Sequence, residues 1–157
     1  MGWGLVLAIA GAAAAVVLAG IGSSIGIGLA GQASDGLLSE DPEAFGNILI
    51  LTALPGTQGI YGFVAAFFVI IRLGLLAGTV PQITLAQGTQ IFLASLPVAL
   101  GGLVSGIFQG KVSAAGVAVA AKQPNDSMKA VILSALVETY AVLGLLMTIL
   151  LLIGIKI

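Results

Sequence analysis

The chain has 157 residues, 59% of them hydrophobic and 7% charged, with a net charge of −1 and a mean hydropathy of +1.23. A soluble domain carries about 25% charged residues, so the composition is that of an integral membrane protein with length for one compact bundle. The charge balance offers no basic face for nucleic acid, the lack of Cys excludes disulfides, thiol nucleophiles and thiolate metal sites, and the lack of His excludes imidazole acid–base chemistry and His–metal sites.

A helix needs about 20 apolar residues to cross the hydrocarbon core. No charged side chain occurs from Met1 to Gln32, which predicts the first span there. Met1-Gly2-Trp3-Gly4 lacks a positive n-region and the apolar run outlasts an h-region, so it reads as part of that span and not as a cleavable signal. Asp35, Glu40, Asp41 and Glu43 around Pro42 predict a polar loop. Ala44–Ile71 is uncharged and predicts the second span, ending near Arg72, an interface anchor. Gly78, Thr79 and Pro81 predict a short turn. The third span falls at roughly Leu85–Ala121, with its one charge, Lys111, close enough to the polar end to snorkel. Lys122-Gln123-Pro124-Asn125-Asp126 predicts the next loop, and the fourth span ends near Lys156. The expected fold is an all-α membrane protein of four transmembrane helices in two tandem hairpins. The loops at 35–43 and 122–129 share one side. Lys111, Lys122 and Lys129 on that side, against Arg72 and Lys156 on the other, favour placing those loops inside.

The halves repeat. A shift of 82 residues without a gap carries Pro42 to Pro124, Ser23 to Ser105, Gly28 to Gly110, Thr57 to Thr139 and Gly62 to Gly144. Ile50-Leu51-Thr52-Ala53-Leu54 falls on Ile132-Leu133-Ser134-Ala135-Leu136. The chain therefore divides into a hairpin at 1–80 and a parallel repeat of it at 81–157, unlike the inverted repeats of many secondary transporters. Gly20, Gly22, Gly26 and Gly28 in the first span, and Gly102, Gly106 and Gly110 in the third, form small-residue stripes that let helix backbones approach closely in lipid. Such stripes suit either an ordinary four-helix bundle or the crowded inner wall of a ring of copies.

Glu138 is the only ionisable side chain in Ala130–Ile155. A charge at bilayer depth costs roughly 2.5–3.5 kcal/mol on insertion scales, so such a residue is usually functional. Its counterpart in the first half is Gly56, leaving one acid per two hairpins. The second span carries Leu54-Pro55-Gly56-Thr57-Gln58-Gly59-Ile60-Tyr61-Gly62 at mid-depth. Pro55 removes a backbone hydrogen bond and frees carbonyl oxygen nearby. The repeat register puts Thr57 and Gln58 at the depth of Thr139 and Tyr140, beside Glu138, and Gln109 reaches a similar depth from the third span. A carboxylate, a hydroxyl, two amides and a backbone carbonyl can thus converge, all presenting the oxygen that hard cations prefer. The plainer alternative for Thr57, Gln58 and Gln109 is hydrogen bonding between helices, and for Tyr61 it is packing.

With the repeat, PGTQGIYGF and VETYAVLG taken together, and DPEAFG, GSSIGIG and QGKVSAAG beside them, the whole chain resembles the duplicated proteolipid of V-type and A/V-type rotary ATPases, the K (or c) rotor subunit. The resemblance implies a closed ring of copies with helices one and three inside, turning against a stator membrane subunit with an essential arginine. It implies central-stalk subunits on cytoplasmic loops, membrane lipid around the ring, a non-catalytic chain with no cofactor, and a bacterial cell membrane. It also implies Na+ as the transported ion, held by Glu138, Thr57, Gln58, Gln109 and the backbone carbonyl of Leu54, with Tyr61 locking Glu138. H+ is the alternative cargo, since a buried acid can carry a proton alone. A small multidrug or cation exchanger would not account for the parallel repeat, and a structural tetraspan protein would leave the cost of Glu138 unexplained.

Overall fold

The structure, a computed structural model, describes residues 2–78 and 82–157. Met1, Thr79, Val80 and Pro81 lie outside the described residues, so the expected turn at Thr79 and Pro81 and the division between 80 and 81 do too. Four helices are long and apolar enough to cross a membrane: Trp3–Glu40, Pro42–Arg72, Leu85–Lys122 and Pro124–Gly154. We label the α-helical segments α1 (Trp3–Glu40), α2 (Phe45–Ala53), α3 (Thr57–Arg72), α4 (Leu85–Lys122) and α5 (Ser127–Gly154).

The ends of these helices follow local chemistry. α1 continues through Asp35 to Glu40 instead of giving way to a loop at Asp35, because exposed acids at a wet helix end do not break hydrogen bonding. What stops it is Pro42. A proline disfavours helical backbone at the preceding residue, and Asp41 sits at φ −138°, ψ 89°. Pro124 does the same to Gln123 (φ −140°, ψ 73°), so the second loop is confined to a few residues, and Lys129 is already helical. Each of these prolines opens a single 3₁₀ turn that leads into the next helix, where a missing N–H costs nothing. α3 stops at Gly74, whose φ of 65° is left-handed and natural only for glycine; its N–H bonds the carbonyl of Ile71. Arg72 is no simple interface anchor, since its guanidinium donates to the carbonyls of Leu152 and Ile155 and caps the end of α5. α4 begins in a capping box between Thr84 and Gln87. Pro97 interrupts its ladder, and the neighbouring Val98 N–H is taken by Thr148 Oγ1 of α5 at 3.2 Å.

α1 and α4 run parallel and make the most extensive contact in the molecule, with α3 against α1 and α5 against α4. Gly22 and Gly26 of the first stripe and Gly102, Gly106 and Gly110 of the second line this seam, whereas a Cβ on Gly20 or Gly28 would meet nothing within 4 Å. A Cβ on Gly22 would lie 2.7 Å from the Cα of Leu103, and one on Gly106 would lie 2.6 Å from the carbonyl carbon of Gly22. Equivalent residues of the two halves therefore stand side by side. The core is layered. Ala8, Ala12, Ala66, Val69, Leu73, Ile91, Ala94 and Leu152 fill the end near the chain termini. Ile48, Leu51, Val117, Ala120, Ala130 and Val131 fill the loop end. A small cluster of Ala15, Ala65 and Val98 touches Tyr61 and Leu145 between them. A broad buried polar layer lies between this small cluster and the loop-end cluster.

Candidate ion-binding site

The polar layer is assembled from three helical segments. Pro55 cannot donate a backbone hydrogen bond, and Leu54–Gly56 accordingly tightens into a 3₁₀ turn between α2 and α3. Gln58, in the first turn of α3 just after it, is fully buried. The Gly59 N–H leaves the helix ladder for Ser23 Oγ of α1 at 2.8 Å, which pins the turn to the glycine seam.

Gln109 of α4, also fully buried, connects both sides of the layer. Its Nε2 donates to the backbone carbonyl of Ser134 at 3.2 Å and to Glu138 Oε2 at 3.5 Å. Its Oε1 accepts from Gln58 Nε2. The second N–H of Gln58 goes to Ser105 Oγ at 3.0 Å. Tyr61 OH donates to Glu138 Oε1. Tyr61, Glu138, Gln109 and Gln58 thus form one continuous chain of contacts across α3, α5 and α4.

Thr57 and Leu54 are paired with each other. Thr57 Oγ1 donates to the carbonyl of Leu54 at 3.0 Å, which also receives the Thr57 N–H. One atom remains unsatisfied: Gln58 Oε1 is the only buried side-chain nitrogen or oxygen among the described residues that lacks a hydrogen-bond partner. Leaving such a group unpaired costs about 1–3 kcal/mol, and Gln109 links its amide to Glu138. Among the described residues no cluster of three or more Asp, Glu, His or Cys could hold a metal. Any cation bound here would meet one carboxylate and neutral oxygens.

Glu138 is half-buried, and an open depression lined by Ala135, Glu138, Thr139, Val142 and Leu143 borders it on the outer surface of α5. Thr139 and Tyr140 point outward and take no part in the layer; Thr139 Oγ1 donates back to the Leu136 carbonyl at 2.8 Å. In the first half the equivalent position is apolar. Ile27 stands 82 residues before Gln109 and Gly56 stands 82 before Glu138. A Cβ on Gly56 would come 3.1 Å from Ile27 Cδ1.

Sequence reasoning missed three contributors. Ser105 was visible only as a repeat marker, although a hydroxyl one turn before Gln109 was a signal. The Ser134 carbonyl carries no sequence signal. Ser113 was legible as a hydroxyl one turn beyond Gln109; it pairs with Ser134 Oγ at 2.7 Å and ties α4 to α5 just loopward of the acid. The first half has an analogous tie, Ser34 to Thr52 at 2.7 Å.

Known proteins share both the repeat and the site-bearing segments. A family model for the C subunit of ATP synthase matches the chain twice, over residues 10–69 and 92–151, and the two matches begin 82 residues apart, at 10 and at 92. The chain is 47% identical over 148 residues to the V-type sodium ATPase subunit K of Enterococcus hirae, covering 94% of this chain and 91% of the relative. It is 38% identical over 151 residues to the A-type ATP synthase subunit K of Methanocaldococcus jannaschii, covering 96% of this chain and 64% of the relative.

Proposed function

The chain belongs to the family of ATP synthase C subunits, with the unit duplicated in one polypeptide, and on that premise we propose that it is the ion-carrying component of the rotor ring in a V-type rotary ATPase, with Na+ as its cargo. The name of the 47% identical relative supports the choice of ion. The chain is a non-catalytic membrane subunit on this reading, and ATP is hydrolysed elsewhere in the complex. The two hairpins, 1–80 and 81–157, lie in one ring with copies of the same chain, the glycine seam of α1 and α4 facing inward and α3 and α5 outward. The loops around Pro42 and Pro124 meet the central stalk on the cytoplasmic side, and a stator membrane subunit presents an arginine to Glu138. The setting is a bacterial cell membrane, with lipid around the ring.

The observation that carries the sodium reading is the unpartnered Gln58 Oε1. A proton carrier needs a carboxylate and an acceptor; a hard cation needs several oxygens. Glu138 supplies the charge, Gln58 Oε1 a waiting ligand, and Gln109 Oε1 a second lone pair beyond the one Gln58 uses. Thr57 Oγ1 and the Leu54 carbonyl complete the set once the Thr57 hydroxyl turns away from that carbonyl. Tyr61 holds the carboxylate in place.

Transport follows from electrostatics. An empty, ionised Glu138 on the outer face of the ring is costly against lipid. With Na+ bound the site is neutral and can travel through lipid. Beside a fixed arginine and water, ionisation becomes cheap and the ion departs. The test is the rate at which a carbodiimide, which attacks protonated carboxyl groups, modifies Glu138 in detergent-purified rings across pH, with and without Na+. Protection by millimolar Na+, and weaker protection by Li+, is the expected result. Labelling that follows pH alone would make H+ the cargo and return Thr57, Gln58 and Gln109 to hydrogen-bonding roles.

A further inference from the structure

We propose that Ser105 is a positioning residue that locks the plane of the Gln58 amide, in the polarity Gln109 dictates, and thereby holds its oxygen as a cation ligand. This rests on the sodium reading above and adds to it a residue that never touches the ion.

One acceptor in the polar layer cannot be reversed. The Ser134 backbone carbonyl has no proton to give, and it faces Gln109 at 3.2 Å. Glu138 Oε2 faces the same end of Gln109 at 3.5 Å. That end must therefore be the NH2 group, because a flipped amide would put oxygen against two oxygens. Gln109 Oε1 is then forced towards Gln58, and the Gln58 group facing it must be an N–H donor. The orientation of one amide thus dictates that of the next.

Gln58 Nε2 has two hydrogens, and Gln109 consumes one. The other goes to Ser105 Oγ at 3.0 Å. Gln58 and Gln109 are fully buried and Ser105 nearly so, and the Ser105 hydroxyl is the acceptor this N–H finds there. With both N–H groups engaged, the nitrogen is saturated and the plane of the amide is fixed. Its oxygen is left with no partner in the protein. Without the Ser105 hydroxyl, one buried N–H would be orphaned. The plane of the amide is then held by the Gln109 bond alone, so the amide can tilt about that bond and carry its oxygen away from the space that a cation must occupy. Ser23, the counterpart of Ser105 in the first half, fixes the neighbouring Gly59 N–H. The paired seam serines therefore hold the backbone and the side chain of one short segment.

The experiment uses full-length chain in detergent-purified rings, NaCl as the probe, and carbodiimide labelling of Glu138 read by intact mass. Ser105→Ala should raise the Na+ concentration giving half-protection about three- to tenfold, the ratio that a single neutral hydrogen bond supports. The pH profile of labelling in the absence of Na+ should stay at wild type, which a general loosening of the ring would not allow. Ser105→Thr, which keeps the acceptor, should restore wild-type half-protection. On a Gln58→Ala background, Ser105→Ala should add nothing further. Unchanged half-protection in Ser105→Ala, or the same shift with and without Gln58, overturns the inference while leaving the sodium reading intact. Wild-type labelling that ignores Na+ sinks the sodium reading, and this inference with it. Should Ser105→Ala give no rings, Ser105→Thr decides: assembled rings that have lost their Na+ protection overturn the proposal, and assembled rings with wild-type protection support it.

Discussion

The close approach of α1 and α4 beside the polar layer gives the sharpest structural prediction, Gly106→Ala. A Cβ there would lie 2.6 Å from the carbonyl carbon of Gly22 and 2.9 Å from the nitrogen of Ser23, both backbone atoms that no rotamer change can move. Ordinary contact begins at 3.4 Å, so from 2.6 to 3.4 Å the two helices must part by about 0.8 Å at that level. Overpacking of this kind costs about 1–3 kcal/mol, and the better helix propensity of Ala returns up to about 1 kcal/mol, for a net loss on the order of 1–2 kcal/mol per protomer. Gly36→Ala is the matched control, since a Cβ there meets nothing within 4 Å and only propensity changes. The assay is the temperature at which purified rings fall apart to single chains, read on a denaturing gel. Gly106→Ala should lower it clearly, and Gly36→Ala should leave it unchanged or raise it. Because Ser105 and Gln109 lie within one turn of Gly106, its rings should also need more Na+ to protect Glu138. Gly106→Ala rings with wild-type stability and wild-type Na+ protection would refute the close approach of α1 and α4.

Three further outcomes follow from single contacts. Glu138→Gln should leave rings assembled while abolishing both carbodiimide labelling and ion transport by the reconstituted complex. Tyr61→Phe removes the hydroxyl that donates to Glu138 Oε1; a hydrogen bond to a charged group is worth about 1.5–3 kcal/mol, so half-protection should require at least tenfold more Na+, with ring mass unchanged. Arg72→Ala deletes the donors to the Leu152 and Ile155 carbonyls; hydrogen exchange should accelerate at the amides of 153–157, while Na+ protection of Glu138 stays at wild type.

The four spans were legible because lipid imposes a length and forbids charge, and both rules act on sequence alone. Helix ends were less so. Asp35 looked like loop because charge and loop usually coincide, whereas Pro42 sets the boundary by sterics several residues later. At the candidate site, residue types and depth could be read, and Glu138 stood out through its cost. The direction of each hydrogen bond could not. Nothing in the sequence says that Thr57 turns its proton on Leu54, that Gln109 offers nitrogen to Glu138, or that Arg72 reaches the last turn of α5. Those depend on rotamers chosen jointly by three helices, and on a backbone carbonyl that every residue carries alike.

Gly56, at the position where the second half carries Glu138, has a mechanical consequence on the proposed reading. Each chain occupies the arc of two hairpins yet delivers one ion, so the rotor sweeps a wide angle per ion and few ions cross in a full turn. The free energy that the head releases in one turn is then divided among few passengers. Each receives a large share and can be driven up a steep electrochemical hill. The same gearing makes the reverse task hard, because a shallow gradient supplies too little work per turn. On that reading, a glycine at the counterpart of Glu138 gears the rotor towards pumping.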